Sequence, residues 1–573
     1  MELAFYVVLI VFLLVNVIKI TFFNLIITGQ RKFTFFLYKF AFTLIITLWF
    51  KLYLVLCFPV GMAIYYILEV LFLYIGVSYF NFYHYFLHLR QSLRLLRESL
   101  ELVRYKSVPR SFNQLLALID LPFMIALLVL NYLGRLPVIR FNLAALFFAC
   151  MLLVLIFELG HALRGKSILQ LVKTYPQSEQ KVVANYGTLI NMLLDFCLFF
   201  NKEKVISQFD YGRPKKIKSR EITGSEIDLS YKSNKPDINP NIIAIQVESL
   251  DANSVNLHFQ DSPVMPYLDS LKNTSIYFPY MMNYHKAGGT SDAEFSIINS
   301  VEPLSNYPSI KLTGYNNPNS FVKILAANGY RTAVFHGNKG SYYQRHKAFA
   351  SMGFAEFYDL KKMGLRHVGW GAPDHEVFAF MLKEMKEQVE PFFYYLITMS
   401  NHCRFTNVLN YYWDKRFDSI KNKELKLYFN SLSYVDTTIH SFVRKVNSLL
   451  EEKNKREELK SARKTYILIF GDHTPGLKKK IYREATLEIE NRHLEFVPFY
   501  ILSPERIVYQ ETAKAASFLD IGPTILDLAR IDTFFTTYGE SLMPPHKLSN
   551  KIPYRDYWFD REQLYQRIKR EIT

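Results

Sequence analysis

Four apolar runs beyond residue 240 of this sequence end in residues able to do chemistry. "IQVESL" delivers Glu248, "FHGN" delivers His336 and Asn338, "MSNH" delivers His402, and "FGDH" delivers Asp472 and His473. Carboxylate oxygens and imidazole nitrogens are the donors that suit a divalent cation. Taken singly, each is weak, because an acid or histidine at the end of a strand also serves as a helix cap or a structural hydrogen-bond partner. Several strand ends finishing this way favour a joint site over four separate caps.

A fifth stretch, "HKAGGTSDAEFS" from His285 to Ser296, supplies a hydroxyl. It reads as a glycine turn opening a helix, whose N-terminus offers free N–H groups and a positive dipole end to an anion. A threonine hydroxyl is a poor nucleophile until something activates it, and metal coordination is one way. Two residues compete for the helix cap. A cap at Thr290 puts Ala293 at the third helical position, whereas a cap at Ser291 puts Glu294 there, as a capping box requires. The expectation is a division of labour: Gly288 and Gly289 turn the chain, Ser291 and Glu294 start the helix, and Thr290 is left for chemistry.

Something must hold these residues together. From about Ile238, strand-like runs such as "NIIAIQV", "FFYYLITM", "TYILIF" and "VPFYIL" alternate with helical stretches such as "SFVKILAANGY" and "LSYVDTTIHSFVRKVNSLLEE". That alternation predicts an α/β domain with a mostly parallel central sheet. In such sheets ligands sit beyond the carboxyl ends of the strands, where the residues above fall.

The front of the chain differs. Half of the 573 residues are apolar and 16% aromatic, and the apolar ones crowd forward. Runs at 3–27, 35–58, 62–86, 121–133 with flanks, and 141–159 are each near the ~20 residues that cross a bilayer, so five spans are expected. Lys19, Lys39, Lys51, Glu69 and Glu158 lie within them. Charge at such depth is either functional or a matter of snorkelling and Lys–Glu pairing, and no motif here favours function. Residues 1–165 carry 14 Lys and Arg against 6 Asp and Glu, an excess of +8 out of the chain's +17. Within 87–110, Leu89, Leu93, Leu96, Leu100 and Val103 recur at helical spacing beside Arg90, Arg94, Arg97 and Arg104, an amphipathic loop suited to anionic lipid. No basic stripe interleaved with aromatics and no zinc-finger or helix-turn-helix pattern points to nucleic acid. Four cysteines form neither a disulfide framework nor a CxxC site. The expected organisation is a transmembrane domain at 1–165, a linker with an interfacial helix at 166–237, a catalytic domain at 238–545 and a tail at 546–573.

The motifs "IQVESLD", "GGTSDAEF", "FHGNKGSYYQR", "GWGAPDHEVF", "MSNHCRF", "FGDHTPG" and "FLDIGPTILDL", in this order after five apolar runs, resemble those of lipoteichoic acid synthases and related membrane phosphoglycerol transferases, which carry a sulfatase-like domain of the alkaline phosphatase superfamily. That resemblance implies one divalent metal, manganese first with magnesium or zinc as alternatives, on Glu248, Thr290, Asp472 and His473. It implies that Thr290 is the nucleophile attacking phosphatidylglycerol, with release of diacylglycerol. It further implies that His336, Asn338, Tyr343, Arg345 and His402 contact the phosphoglycerol group, His402 also moving a proton. The acceptor would be a glycerophosphate polymer, a glycolipid or a glucan. Asn338 and Tyr343 depart from the family, which often has Asp and Trp there, so head-group or acceptor preference is open. The resemblance also implies a multi-pass protein of the bacterial cytoplasmic (inner) membrane with its catalytic domain outside or in the periplasm. The positive-inside count argues the opposite orientation. A phosphoethanolamine transferase on the same fold and a non-catalytic lipid- or glycan-binding scaffold are the competing readings. Lys478, Lys479 and Lys480 suit either an anionic acceptor or a solvated loop.

Overall fold

The computed structural model describes residues 2–28, 44–54, 58–83, 116–133, 143–173, 179–198 and 212–217. From 239 onward it describes the chain except 287, 305–307, 313–318, 388–389, 457–462, 491, 545–547, 555–556 and 573. The chain forms two compact units, a helical one ending at Ile206 and an α/β one running from Ser207 to Thr573. The amphipathic loop expected at 87–110 and Lys39 lie outside the described residues.

The helical unit contains α1 (Glu2–Thr28), α2 (Leu44–Leu54), α3 (Pro59–Tyr83), α4 (Leu121–Tyr132), α5 (Leu143–Ala162), α6 (Ile168–Lys173) and α7 (Glu179–Leu198). Only α1 and α3 carry a stretch, Tyr6–Asn24 and Val60–Val77, long and apolar enough to cross a membrane. Of the five expected spans, the first and third are matched by such stretches among the described residues. The helix at the fourth, α4, has 12 residues and rises about 18 Å, short of the ~30 Å hydrocarbon core, while α2 is bordered on both sides by residues outside the described ones. Leu9 and Phe12 of α1 pack against Leu54, Met62, Tyr66, Met124 and Leu127, so α1 to α4 share one apolar core. Among the described residues, four charged side chains of that unit form one enclosed cluster. Lys19 Nζ lies 2.9 Å from Glu69 Oε2 and 2.8 Å from Asp120 Oδ1, while Lys51 Nζ lies 2.6 Å from Glu69 and 3.6 Å from Asp120 Oδ2. Asn16 and Tyr66 bond to the same group. Pairing, one of the alternatives open in the sequence, is what the structure shows for Lys19, Lys51 and Glu69. Glu158 instead accepts from the Ile168 N–H and the Tyr186 hydroxyl.

The α/β unit is built on strands that are apolar on both faces. They are β2 (Asn241–Val247), β3 (Ile276–Met282), β4 (Arg331–His336), β5 (Glu356–Asp359), β6 (Phe392–Ile397), β7 (Thr465–Gly471) and β8 (Arg492–Leu502), in the order β3-β8-β7-β2-β6-β4-β5. All seven residues of β2, all six of β6 and all seven of β7 are buried, as expected of strands covered by helices on both sides. The run from β7 through β2, β6 and β4 to β5 is parallel. However, β8 runs antiparallel to both β7 and β3, so the sheet is mixed, with an antiparallel strand set beside its parallel run. Periodicity marks a strand but carries no information on its direction.

One face is covered by α10 (Asp374–Glu387) and α11 (Lys423–Arg456). Leu432, Val435, Ile439 and Phe442 of α11 recur at helical spacing and meet Phe378 and Met381 of α10 over Ile243, Ile245 and Tyr394. On the other face, Phe321 and Phe349 meet Phe393 and Tyr395. The first strand, β1 (Arg213–Ile217), pairs antiparallel with β9 (Thr533–Thr537) in a separate ribbon. The final segment forms a hairpin and a helix, α12 (Arg561–Ile572), tied down by a buried Arg561–Asp520 ion pair at 2.9 Å.

Candidate active site

Parallel β2 and β7 lie side by side, Val247 opposite Gly471, and so deliver Glu248 and Asp472 to one edge of the sheet. Glu248, Asp472 and His473 are buried, and their ligand atoms all lie within 4.8 Å of one another. His473 Nε2 is 3.4 Å from Glu248 Oε1 and 3.5 Å from Asp472 Oδ2. Asp472 Oδ1 accepts from the backbone N–H groups of Ser249 and His473, at 2.8 and 2.7 Å, but Oδ2 has no hydrogen-bond partner. The charges respond to this crowding. Burial, then the neighbouring Glu248 charge, pushes the Asp472 carboxyl well above its ordinary range. Burial alone would lower His473, but Asp472 and Glu248 hold it well above its ordinary value. Two carboxylates against one imidazole, with one buried oxygen lacking a donor, is a donor set that fits a divalent cation.

Thr290 stands at the N-terminus of α8 (Thr290–Asn299). Its hydroxyl donates to Glu248 Oε2 at 3.0 Å and lies 3.3 Å from His473 Nε2. The turn before it depends on glycine. Gly289 has φ +58° and ψ −135°, and a Cβ on Gly288 would come within 2.2 Å of Asp292 Oδ1. Here the sequence reading is corrected. Ser291 does not cap α8; its hydroxyl donates to the Gly288 carbonyl at 2.7 Å. Asp292 holds the turn instead, accepting from the Lys286 and Gly288 N–H groups at 2.9 and 2.8 Å. Glu294 is buried and faces Arg345, so ion pairing has displaced the capping box. Asp292 was legible as an acid in the first turn, but the residue spacing favoured Ser291 and Glu294.

The remaining residues occupy the ends of β4 and β6 and the loops after them. His336 is fully buried, with Nδ1 3.5 Å from the Ile397 carbonyl and Nε2 without a hydrogen-bond partner. Burial, then the Arg345 charge, lowers it to about 3, so it is neutral. Asn338 turns its Oδ1 to the Lys339 N–H at 2.7 Å. Tyr343 is buried with φ +52°, and its ring centroid lies 5.7 Å from the Arg345 guanidinium. Arg345 opens α9 (Arg345–Ser351). His402 places Nδ1 2.8 Å from the Cys403 carbonyl and stacks on Trp370 at 4.5 Å and 22°.

Three supports were missed in the sequence. Asp374 accepts from the Met399 and Ser400 N–H groups at 2.7 and 3.0 Å and shapes the loop that carries His402. Glu495 accepts from the Thr474 N–H at 2.9 Å and pairs with His285 at 3.0 Å, and the His285 ring stacks on His473 at 4.5 Å. Trp370 is the third. Lys478, Lys479 and Lys480 are exposed.

Against this geometry, the family model described as Sulfatase matches residues 240–531, which is 292 of the 573 residues. This chain belongs to the sulfatase family. The matched stretch runs from the residue before β2 to Ile531, two residues short of β9, and holds every candidate residue named above. Among curated proteins, this sulfatase-family chain is similar to lipoteichoic acid synthase 2 of Bacillus subtilis (strain 168), with 26% identity over 330 residues that cover 55% of this chain and 49% of that protein. It is also similar to lipoteichoic acid synthase of Staphylococcus aureus (strain USA300), with 25% identity over 358 residues covering 58% and 53%. The chain thus spans about half the length of the curated relatives it matches. The crystal structure of the lipoteichoic acid synthase LtaP from Listeria monocytogenes aligns at 21% identity and a TM-score of 0.45, covering 58% of this chain and 92% of that one. The resemblance read from the motifs is the one these comparisons return.

Proposed function

We propose that this protein is a metal-dependent phosphoglycerol transferase of the bacterial cytoplasmic membrane. On this reading its catalytic part, residues 238–545, faces outward and moves glycerophosphate from phosphatidylglycerol to an acceptor hydroxyl on a glycerophosphate polymer, glycolipid or glucan. The observation that carries the reading is the Thr290 hydroxyl, set at a helix N-terminus and 3.0 Å from Glu248 beside His473. A divalent cation on Glu248, Asp472, His473 and Thr290, manganese in the first instance, would supply Lewis acidity and balance the negative charge of the phosphoryl oxygens. The hydrogen bond to Glu248 orients Thr290 Oγ1 and gives its proton an acceptor. Thr290 Oγ1 then forms a bond to phosphorus, the bond from phosphorus to the diacylglycerol oxygen breaks, and that oxygen leaves with a proton as diacylglycerol. The N–H groups opening α8 face the anion. In the second half the acceptor hydroxyl attacks the same phosphorus from its own proton-bearing oxygen, and Thr290 is returned as an alcohol. The Cys403 carbonyl keeps the His402 proton on Nδ1, leaving Nε2 to pass a proton to or from the moving oxygen. Neutral His336 and the Arg345 guanidinium supply the polar lining for the head group.

The test uses the purified full-length chain in detergent with manganese and labelled phosphatidylglycerol. Diacylglycerol release is expected, with Thr290→Ala reducing it by at least about 10³-fold. A trapped adduct on Thr290 should have the mass of a glycerophosphoryl group. A phosphoethanolamine mass would replace this reading with the neighbouring transferase. Metal-loaded wild type that turns over no phospholipid would favour the scaffold. For the outward orientation, a C-terminal reporter active only in the cytoplasm would overturn it.

A further inference from the structure

The Arg345 guanidinium is already engaged. Glu294 is fully buried on α8, four residues after Thr290, and both of its oxygens lie 3.0 Å from Arg345 Nε. Arg345 Nη2 donates to Glu294 Oε1 at 2.8 Å. Of the five N–H groups on a guanidinium, the edge formed by Nε and Nη2 is therefore spent, and the Nη1–Nη2 end is the edge left for an anion. The chain enters Arg345 through Tyr343 and Gln344, both in the left-handed region at φ +52° and +54°. The rings of Tyr342 and Tyr343 lie 5.9 and 5.7 Å from the guanidinium. The backbone thus bends to set the arginine, the carboxylate fixes its plane, and the two rings flank it.

We propose that Glu294 is a positioning residue that fixes which edge of Arg345 meets the phosphate, and that α8 thereby sets the spacing between nucleophile and phosphate grip. The proposal rests on the phosphoglycerol-transferase reading, and it adds a residue that does not touch substrate. Thr290 and Glu294 sit one helical turn apart on one rigid element, so the distance from the attacking oxygen to the guanidinium is set inside a single turn. A surface loop could not hold that distance, because both partners are buried and packed. Such a pair is costly to bury and adds little stability against an apolar substitute, which suits a role in geometry.

The experiment compares wild type, Glu294→Asp, Arg345→Gln and the double variant Glu294→Asp/Arg345→Gln, all as full-length protein in detergent with manganese. Glu294→Gln alone is expected to fold poorly, since it leaves a buried guanidinium unpaired; Glu294→Asp keeps both charges, and Arg345→Gln leaves the Glu294 carboxyl an amide donor, with the melting temperature of each variant read beside its kinetics. Glu294→Asp keeps the charge but withdraws the carboxylate by one methylene. The expected result is a fall in kcat of about 10²-fold for diacylglycerol release, from a misplacement of about 1 Å, with KM for phosphatidylglycerol changed by less than about threefold. A merely structural role would lower the melting temperature without this split. Arg345→Gln should lower kcat and raise KM together. The double variant should be no worse than Arg345→Gln, within about threefold, because residues acting through one another are not additive. An active wild type with Glu294→Asp at wild-type kcat, or a double variant carrying the product of the two separate losses, would overturn the positioning role and leave the transferase standing. A wild type inactive on phosphatidylglycerol would overturn both.

Discussion

Two buried charge clusters, one in each unit, look alike and are not. In the helical unit Lys19 and Lys51 face Glu69 and Asp120, two cations against two anions, with every Lys–acid separation between 2.6 and 3.6 Å. In the α/β unit Glu248 and Asp472 crowd one imidazole, and with His473 protonated the set reaches balance only by keeping a proton on Asp472, whose carboxyl burial and the Glu248 charge push well above its ordinary range. Each cluster leaves one carboxylate oxygen, Asp120 Oδ2 or Asp472 Oδ2, without a hydrogen bond. Counting unsatisfied atoms would rank them together. Charge balance separates them: the first is complete as it stands, and the second is short of positive charge, as an ion site is.

The sharpest way to break this comparison is Asp472→Asn. Turnover should fall by about 10³-fold, since several kcal/mol of charge stabilisation depend on the ligand set. The melting temperature of metal-stripped protein should nevertheless rise, because the substitution removes one of two crowded carboxylates. A lower melting temperature without metal would show that the α/β cluster is self-sufficient. Adding back manganese should raise the melting temperature of wild type and not of the variant.

The helical cluster should behave in the opposite sense. Lys19→Met strands Asp120 and Glu69 with one lysine and should cost about 3–5 kcal/mol in detergent. Lys19→Met/Asp120→Leu should recover most of that loss, read as melting temperature, with no dependence on metal. Smaller again is Trp370→Leu, which frees the His402 ring from its stack and should reduce kcat about tenfold with metal content unchanged, within the range of one proton-transfer group. Smallest is a pH effect on stability. Burial raises the Asp374 carboxyl from 3.8 to about 6, against the pull of the Met399 and Ser400 N–H groups. A raised carboxyl gives stability that is fully present below the unfolded pKa and is lost as pH rises through the folded one. Asp374→Asn should therefore flatten the decline in melting temperature between about pH 4 and 6, and an unchanged slope would remove Asp374 as its source.

Much of the site was legible because the sequence places its chemistry where strands stop. Glu248, His336, His402, Asp472 and His473 each follow a run of apolar residues, and parallel neighbours bring such ends to one edge. What spacing could not decide was the partner of a charge. Glu294 sits three residues after Ser291 and fits a capping box; only burial against Arg345, 51 residues away, shows otherwise. Arg345, expected to contact the phosphoglycerol group, has one edge of its guanidinium already taken by Glu294. Strand direction was illegible too, since "VPFYIL" reads the same whether β8 runs with β7 or against it.

The order of the four charges along the chain has a consequence for how the protein is made. Synthesis proceeds from the N-terminus, so both lysines emerge before either acid. In an apolar medium α1 and α2 are then two like-charged helices, each carrying a lysine that costs several kcal/mol to bury alone. Glu69 arrives with α3, and Asp120, a hundred and one residues after Lys19, closes the group last. With α1 to α3 in place the group still carries one cation in excess, so its charge is balanced only when Asp120 joins.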